Sequence, residues 1–264
     1  MTDRQSGGDP WFTAHGDDDA PMLLCLHGIG SSAGAFEPQY PLAASTRRRI
    51  VAWDAPGYGR SPDPSAPFTL DDWADAAAEL IRRHGGGSAD VLGVSWGGVT
   101  ATRLVLRHPG LVRGLILADS SVGSGTSAHR AEAMRARADG VDELGLEAFA
   151  RDRSPLLVTA QAPSSLIEEV AQLMVNAVRQ PSYTWACASM AEADHRPDLA
   201  SISAPTLVVV GDDDQVTPPQ QSEILVAGIP GARLVMIPGA GHLANQEQPD
   251  RFNEVVSGFL NGLG

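Results

Sequence analysis

The apolar residues of this chain gather in short runs that are hydrophobic at consecutive positions. Such runs, bounded mostly by Gly, Pro or Asp and too short for helices, are typical of strands that are buried on both faces. Six runs fit this description: Met22–Leu26, Ile50–Trp53, Val91–Val94, Leu115–Ala118, Thr206–Val210 and Leu234–Ile237. We therefore predict six interior strands.

Longer segments with helical spacing alternate with these runs. The clearest are Leu70–His84, Val99–His108, Gln220–Ala227 and Arg251–Leu260. Alternating strands and helices predict an α/β fold, with a mostly parallel central sheet and helices on both faces. In such folds ligands bind at the carboxyl ends of the strands, so candidate chemistry is sought there.

One part of the chain, from about Val122 to Leu199, interrupts this alternation because it contains no clear strand. It has helix-like stretches broken by prolines: Ala128–Ala138, Ser165–Val178, Pro155, Pro163 and Pro181. We predict a helical insertion, residues 122–199, within one domain whose core is formed by residues 1–121 and 200–264.

The composition agrees with a single domain, since 264 residues with 43% hydrophobic and 19% charged side chains can bury one large core. No apolar stretch approaches the ~18 residues of a membrane span. Met1–Pro10 is polar and Gly-rich, so we expect a frayed leader, not a signal peptide, and a cytoplasmic protein. The two cysteines, Cys25 and Cys187, form no disulfide or metal pattern and are predicted to be reduced core residues.

The net charge of −13 narrows the class of ligand. Nucleic acids are disfavoured as partners, because a nucleic-acid binder needs a basic patch. The charge also repels anions at long range, so an anionic substrate requires a few local arginines that overcome this field. We expect a small-molecule substrate, no membrane partner, no cofactor and no metal site. A homo-oligomer is compatible with the sequence.

A candidate nucleophile, Ser95, lies in the pentapeptide Gly93–Gly97, which has the pattern G-x-S-x-G. The pattern alone is weak in a chain with 28 glycines. Its placement is informative, because a predicted strand precedes Ser95 and a helix-like segment follows it. A nucleophile on so sharp a turn needs neighbours without a Cβ, which lets strand and helix approach closely.

A serine hydroxyl needs a base, and the base needs an orienting carboxylate. His242 follows the last predicted strand, at the carboxyl edge of the sheet, and is the candidate base. Two positions compete for the carboxylate: the run Asp212–Asp214 after one strand, and Asp119 at the end of another. Both give the chain order Ser, Asp, His.

The loop after the first predicted strand, His27 to Gly30, can direct a backbone N–H at a carbonyl oxygen beside Ser95. We assign the amides of Ile29 and Trp96 as the candidate oxyanion hole. His27 is expected to stabilise this loop, and both His27 and Gly28 are candidates for the substrate pocket. In the insertion, Trp185 and Met190 are further pocket candidates, although either residue type also suits a core.

Five motifs now stand in order: His27–Gly30, Asp54–Ser61, the Ser95 turn, Gly211–Asp214 with Pro218, and the His242 loop. Together they resemble the α/β-hydrolase family over nearly the whole chain. The resemblance implies that Asp214, fourth in its block, is the acid, and that the insertion is a helical cap. Dehalogenases and epoxide hydrolases of the family carry an aspartate where this chain has Ser95, so their chemistry is disfavoured.

The C-terminal third resembles 3-oxoadipate enol-lactonases and lactonase-like relatives most closely. The matching segments are Asp194–Ile202, Ala204–Leu207, Thr217–Pro219, Ile229–Arg233, His242–Asn245 and Glu247–Pro249. The His-Gly pair of the front loop is instead typical of general esterases and carbon–carbon bond hydrolases. The resemblance implies hydrolysis of a small ester or lactone through an acyl-enzyme. Carbon–carbon cleavage of a vinylogous diketone, and a non-catalytic receptor on the same fold, are the alternatives.

Overall fold

The computed structural model describes residues 2–4 and 9–263 and contains one eight-stranded sheet. The strands are β1 Thr2–Arg4, β2 Phe12–His15, β3 Met22–Leu26, β4 Arg49–Trp53, β5 Ala89–Val94, β6 Val112–Ala118, β7 Thr206–Gly211 and β8 Arg233–Ile237. Their order across the sheet is β1-β2-β4-β3-β5-β6-β7-β8. The pairs β1–β2 and β2–β4 are antiparallel, and every other pair is parallel.

Helices cover both faces of the sheet. Their bounds are α1 Leu42–Thr46, α2 Leu70–His84, α3 Trp96–Arg107, α4 Ala128–Leu144, α5 Leu146–Arg153, α6 Ser164–Ala177, α7 Ser182–Glu192, α8 Pro219–Gly228, α9 Ala244–Glu247 and α10 Pro249–Asn261, with 3-10 turns at Ala33–Gln39, Pro109–Leu111, Ser154–Leu157 and Leu199–Ser201. One core lies between the sheet and α2, α3 and α8, and a second lies between the sheet and α1 and α10. Neighbouring residues of one strand, such as Leu23 and Leu24, enter opposite cores. This explains the consecutive apolar residues of the sequence.

Local chemistry fixes the start of α2. The Thr69 side chain accepts the N–H of Asp72, and the Asp72 carboxylate accepts the N–H of Thr69 in return. Acidic residues occupy the first turn and basic residues the last, which complements the helix dipole. The helix therefore begins and ends where the sequence predicts.

The insertion between β6 and β7 contains α4 to α7. Its two ends are hydrogen-bonded to each other, and we call this region the neck. The Ser124 N–H donates to the Met190 carbonyl at 2.9 Å, the Gly125 N–H to Ala193 at 2.8 Å, and the His195 N–H to Val122 at 2.9 Å. The chain thus leaves the sheet and returns to it at one place.

The predicted fold class is confirmed, and all six predicted strands are present within a few residues of their predicted ends. The prediction that all six are buried was wrong for β8, which lies at the edge of the sheet and is only partly buried. The predicted leader differs, because Thr2–Arg4 pairs with β2 as an edge strand. Met1 and residues 5–8 of that leader lie outside the described residues. Cys25 and Cys187 are buried and free, as expected. None of the helices in the described part of the chain is long and apolar enough to cross a membrane.

Candidate active site

Ser95 lies at a sharp turn between β5 and α3, with φ of 56° and ψ of −120°. This is a conformation that residues other than glycine rarely adopt and that must be held by its surroundings. The Ser95 N–H donates to the Ala118 carbonyl at 2.9 Å, and the Ser120 hydroxyl donates to the Ser95 carbonyl at 2.8 Å. The end of β6 therefore fixes the backbone of Ser95.

The two glycines of the pentapeptide are required by close backbone approach. A Cβ on Gly93 would overlap the carbonyl of Gly97, and a Cβ on Gly97 would overlap the carbonyl of Leu26. The steric reason predicted for these glycines thus agrees with the packing of α3 against β5 at Gly93 and against the end of β3 at Gly97.

His242 follows β8 and lies beside Ser95, with its side chain 4% exposed. Its Nε2 is 2.9 Å from Ser95 Oγ, and its Nδ1 is 2.9 Å from Asp214 Oδ2. Three residues from loops after three different strands therefore form one hydrogen-bonded chain.

Asp214 is buried and accepts several hydrogen bonds besides that of His242. The N–H groups of Val216 and Thr217 donate to its Oδ1 at 2.8 and 2.9 Å, and Thr217 Oγ1 lies 2.8 Å from its Oδ2. Burial alone would raise the pKa of Asp214, but the charge and hydrogen bond of His242, with the Thr217 bonds, outweigh it and hold the pKa below its ordinary value. Asp214 is therefore a stable carboxylate beside the imidazole.

Asp119, the competing acid, has other partners. Its Oδ1 accepts the Gly211 N–H at 2.9 Å and its Oδ2 accepts the Ala244 N–H at 3.1 Å. Burial, followed by the charge of Asp214, raises the pKa of Asp119 well above its ordinary value. Asp119 thus joins the end of β7 to the segment after His242 and does not bond the imidazole.

The remaining acids of the Asp212–Asp214 run are also distinguished by the structure. Asp212 accepts the N–H of Gly239 at 2.8 Å, and the exposed Asp213 lies 3.1 Å from the Gln215 amide. Neither side chain contacts His242.

The loop after β3 lies against Ser95. A Cβ placed on Gly28 would be 3.4 Å from Ser95 Cβ and 3.9 Å from its Oγ. Within the described residues no acceptor takes the Ile29 N–H, and Trp96, as first residue of α3, has no helical carbonyl for its own N–H. Both predicted oxyanion donors are thus without an acceptor among residues 2–4 and 9–263.

His27 holds this loop in place. Its Nδ1–H donates to the Gly28 carbonyl at 2.8 Å, and its Nε2 accepts the N–H of Ala55 at 3.0 Å. Burial lowers the pKa of His27, so the ring is neutral and its tautomer is fixed by these two bonds. The predicted stabilising role agrees with these contacts.

Residues 23–255 match the model of the Alpha/beta hydrolase family. The chain belongs to this family. The resemblance inferred from the five motifs is therefore confirmed, and with it the prediction of an enzyme of the hydrolase class.

Three similar proteins carry more specific names. The hydrolase is 28% identical over 252 residues to 3-oxoadipate enol-lactonase 1 of Acinetobacter baylyi, with 94% of this chain and 92% of the relative covered. It superimposes on a thermophilic esterase from Thermogutta terrifontis with a TM-score of 0.86 at 28% identity, covering 100% of this chain and 97% of the esterase. With the enol-lactonase from Burkholderia xenovorans the TM-score is 0.84 at 26% identity, covering 94% and 95%.

Two recesses of the hydrolase share Ser95, Ile29 and Arg137 in their walls. The larger, which we call the apolar recess, holds about 570 Å³ of empty space, part of it open to solvent. Its other lining residues include His27, Gly28, Phe36, Val170, Leu173, Met174 and His242. The smaller is called the polar recess because serines, a threonine and two arginines are among its lining residues. It is lined by Trp96, Ser121, Ser124, Arg130, Met134, Met190, Val216 and Thr217.

The four predicted pocket residues fall in different places. His27 and Gly28 line the apolar recess, and Met190 lines the polar recess. Trp185 lines neither, and its half-buried side chain packs against the core. Five residues along α7 correspond to a rotation of about 140°, so Trp185 and Met190 cannot face the same space.

The sequence interpretation missed the arginines of α4. Arg130, Met134 and Arg137 follow the spacing i, i+4, i+7 and therefore share one helix face. On a core-facing side these positions are normally apolar. Two arginines on the same face of a helix in the predicted insertion could therefore have indicated a polar cavity beneath that helix.

Proposed function

We propose that this protein is a serine hydrolase that cleaves a small-molecule carboxylic ester or lactone through an acyl-enzyme. In this proposal Ser95 is the nucleophile, His242 the general base and Asp214 the acid that orients it. Residues 122–199 act as a cap over the site. The observation that carries the proposal is the hydrogen-bonded chain from Ser95 through His242 to buried Asp214.

The geometry supports the following sequence of steps. His242 Nε2 takes the Ser95 hydroxyl proton as Oγ attacks the carbonyl carbon, and Asp214 stabilises the resulting imidazolium. The Ile29 and Trp96 N–H groups donate to the oxyanion, a contribution of typically ~10²–10³ in rate per donor. His242 then protonates the leaving alcohol, and water, activated by the same base, releases the acid.

The substrate class rests on the site and on the relatives together. An enol-lactonase and an esterase are among the proteins that the chain resembles over nearly its whole length. Both names describe cleavage of an ester bond, and the proposed steps are the chemistry of that bond. A ring ester would leave its alcohol attached to the acyl-enzyme, so one product is released after deacylation.

The test is covalent labelling with a neutral alkyl fluorophosphonate, followed by mass spectrometry of the intact protein and its peptides. We expect one label, on Ser95, and none on Ser95→Ala, which deletes one oxygen and should keep its melting temperature. Ser120→Ala is the matched control. It removes a hydroxyl that bonds the backbone carbonyl of Ser95 and not its side chain, so this variant should still be labelled. Label that persists on folded Ser95→Ala would contradict the proposal, as would the absence of hydrolysis across a panel of aryl esters and lactones.

A further inference from the structure

Two arginines line the polar recess although the chain as a whole carries a charge of −13. Arg130 and Arg137, two turns apart on α4, line the polar recess together with Ser95. Arg137 also lines the apolar recess, so it shares both recesses with Ser95. Arg153, at the end of α5, lies close enough that the charge of Arg137 helps to lower its pKa, after burial, to about 10.

These guanidinium groups have no anionic partner within the described residues. The Nε atoms of Arg137 and Arg153 are buried and lack any hydrogen-bond acceptor. The nearest aromatic contact of Arg137 is the Tyr183 ring, at 5.9 Å. By contrast the exposed Arg135, on the same helix, lies 3.9 Å from a carboxylate oxygen of Glu192.

Arg137 and Arg153 are half-buried residues, and a cation removed in part from water without a counter-ion is costly, so proteins normally pair it. Arg137 and Arg153 repel each other as well, so packing alone does not account for their placement. An anion bound in the recess would supply the missing acceptor. A guanidinium binds a carboxylate through two parallel N–H bonds, which gives orientation as well as attraction.

We propose that Arg137, assisted by Arg130 and Arg153, binds a carboxylate of the substrate, so that the preferred esters or lactones are anionic. This inference rests on the proposed hydrolase function and narrows its substrate class. Because Arg137 and Ser95 line the same small recess, the carboxylate lies only a few bonds from the scissile carbonyl. Half-esters of short dicarboxylic acids, and lactones that bear a short acid side chain, fit this requirement.

The long-range field of the protein does not contradict this assignment. Exposed charges separated by more than about 8–10 Å are largely screened at physiological ionic strength, whereas a partly buried guanidinium next to its ligand is screened little. The local arginines therefore decide the binding of an anion once it has entered the recess.

The experiment compares kcat/KM for pairs of 4-nitrophenyl esters of equal chain length, one neutral (butyrate, pentanoate) and one with a terminal carboxylate (succinate, glutarate). We expect the wild type to prefer the anionic member by about tenfold or more, the range of a hydrogen bond to a charged group. Arg137→Gln should remove most of this preference, chiefly through KM, and Arg137→Lys should restore part of it. Arg135→Gln, on the exposed side of α4, is the matched control and should keep the wild-type ratio.

A wild type that does not prefer the anionic esters overturns the inference, as does an Arg137→Gln variant in which both members fall by the same factor. Failure of the proposed chemistry is distinguishable from either outcome. If the proposed chemistry is wrong, neutral esters are not hydrolysed and Ser95 is not labelled. The anion site can be measured independently of turnover, by titration calorimetry of glutarate against Ser95→Ala. Glutarate binding that is unchanged in Ser95→Ala/Arg137→Gln would also overturn the inference.

Discussion

Two buried carboxylates lie near the imidazole, and their partners separate their roles. Asp214 contacts His242 Nδ1 and is held ionised by that contact. Asp119 uses one oxygen for each of two backbone amides. Asp214 therefore contacts the imidazole directly, whereas Asp119 bonds the backbone at the end of β7 and after His242.

The residue-scale prediction compares three Asp→Asn variants by kcat at a pH above ~7 and by melting temperature. Asp214→Asn should lose up to ~10⁴ in kcat, because the imidazole loses both its tautomer and its counter-charge. Asp119→Asn should mainly lower the free energy of unfolding, by roughly 1–3 kcal/mol, because one buried amide loses its acceptor. The exposed Asp213→Asn is the control and should change neither. A collapse of kcat confined to Asp119→Asn would transfer the orienting role to that residue.

The candidate site residues that follow strands could be predicted from the sequence, whereas those of the insertion could not. Ser95, His242 and Asp214 each come directly after a predicted strand, and parallel strands bring their carboxyl ends to one edge. The choice between Asp214 and Asp119 depended on side-chain direction, which strand patterns do not specify. Arg137 lies on a mostly exposed helix whose orientation over the sheet depends on packing between distant segments.

At the scale of elements, the sequence pattern predicted the strands more clearly than it predicted the helices of the insertion. Strands buried on both faces leave an unambiguous apolar run, so β3 to β7 were predicted, and the edge strand β8 was found by its apolar residues although it is only partly buried. Helix α7 buries most of its residues, but its buried face includes Ser182 and Ser189, whereas the apolar Trp185 lies on its less buried side. It therefore lacks the one-sided periodicity that marks a surface helix.

The element-scale prediction uses the two faces of α7. Met190→Leu changes the shape of the polar recess at nearly constant volume and should alter relative kcat/KM among substrates. Trp185→Phe, on a different face, is the matched control and should leave that ranking unchanged. Both variants are compared on one panel of esters and lactones. A uniform change by Met190→Leu across the panel, or a changed ranking by Trp185→Phe, would contradict this assignment of faces.

At the scale of the whole molecule, one buried ion cluster joins distant parts of the chain. Asp90, at the start of β5, lies 2.5 Å from Arg48 Nε and 2.5 Å from Arg113 Nη2. Arg48 also donates to the carbonyl of Leu260 in α10 at 2.9 Å. The strand that leads to Ser95 is thereby tied to both flanking regions of the sheet.

The prediction at this scale is that Asp90→Asn lowers the free energy of unfolding by about 3 kcal/mol or more, because two arginines lose a buried partner. Urea titration at low and high salt measures the loss, which should persist at high salt because buried pairs are screened little. Glu254→Gln removes an exposed pair with Arg251 and should cost less than ~1 kcal/mol. Equal losses in the two variants would show that the cluster is not a structural tie.

The neck has a consequence for how such a protein can change over time. Three hydrogen bonds join Val122, Ser124 and Gly125, at the start of the insertion, to Met190, Ala193 and His195, near its end. A segment whose two ends meet can grow, shrink or be exchanged without moving the strands on either side of it. The proposed catalytic residues all lie outside that segment, whereas Arg130, Arg137 and Met190 lie within it. If the insertion recognises the substrate, as we propose, it can be exchanged as one segment while the proposed catalytic residues stay in place.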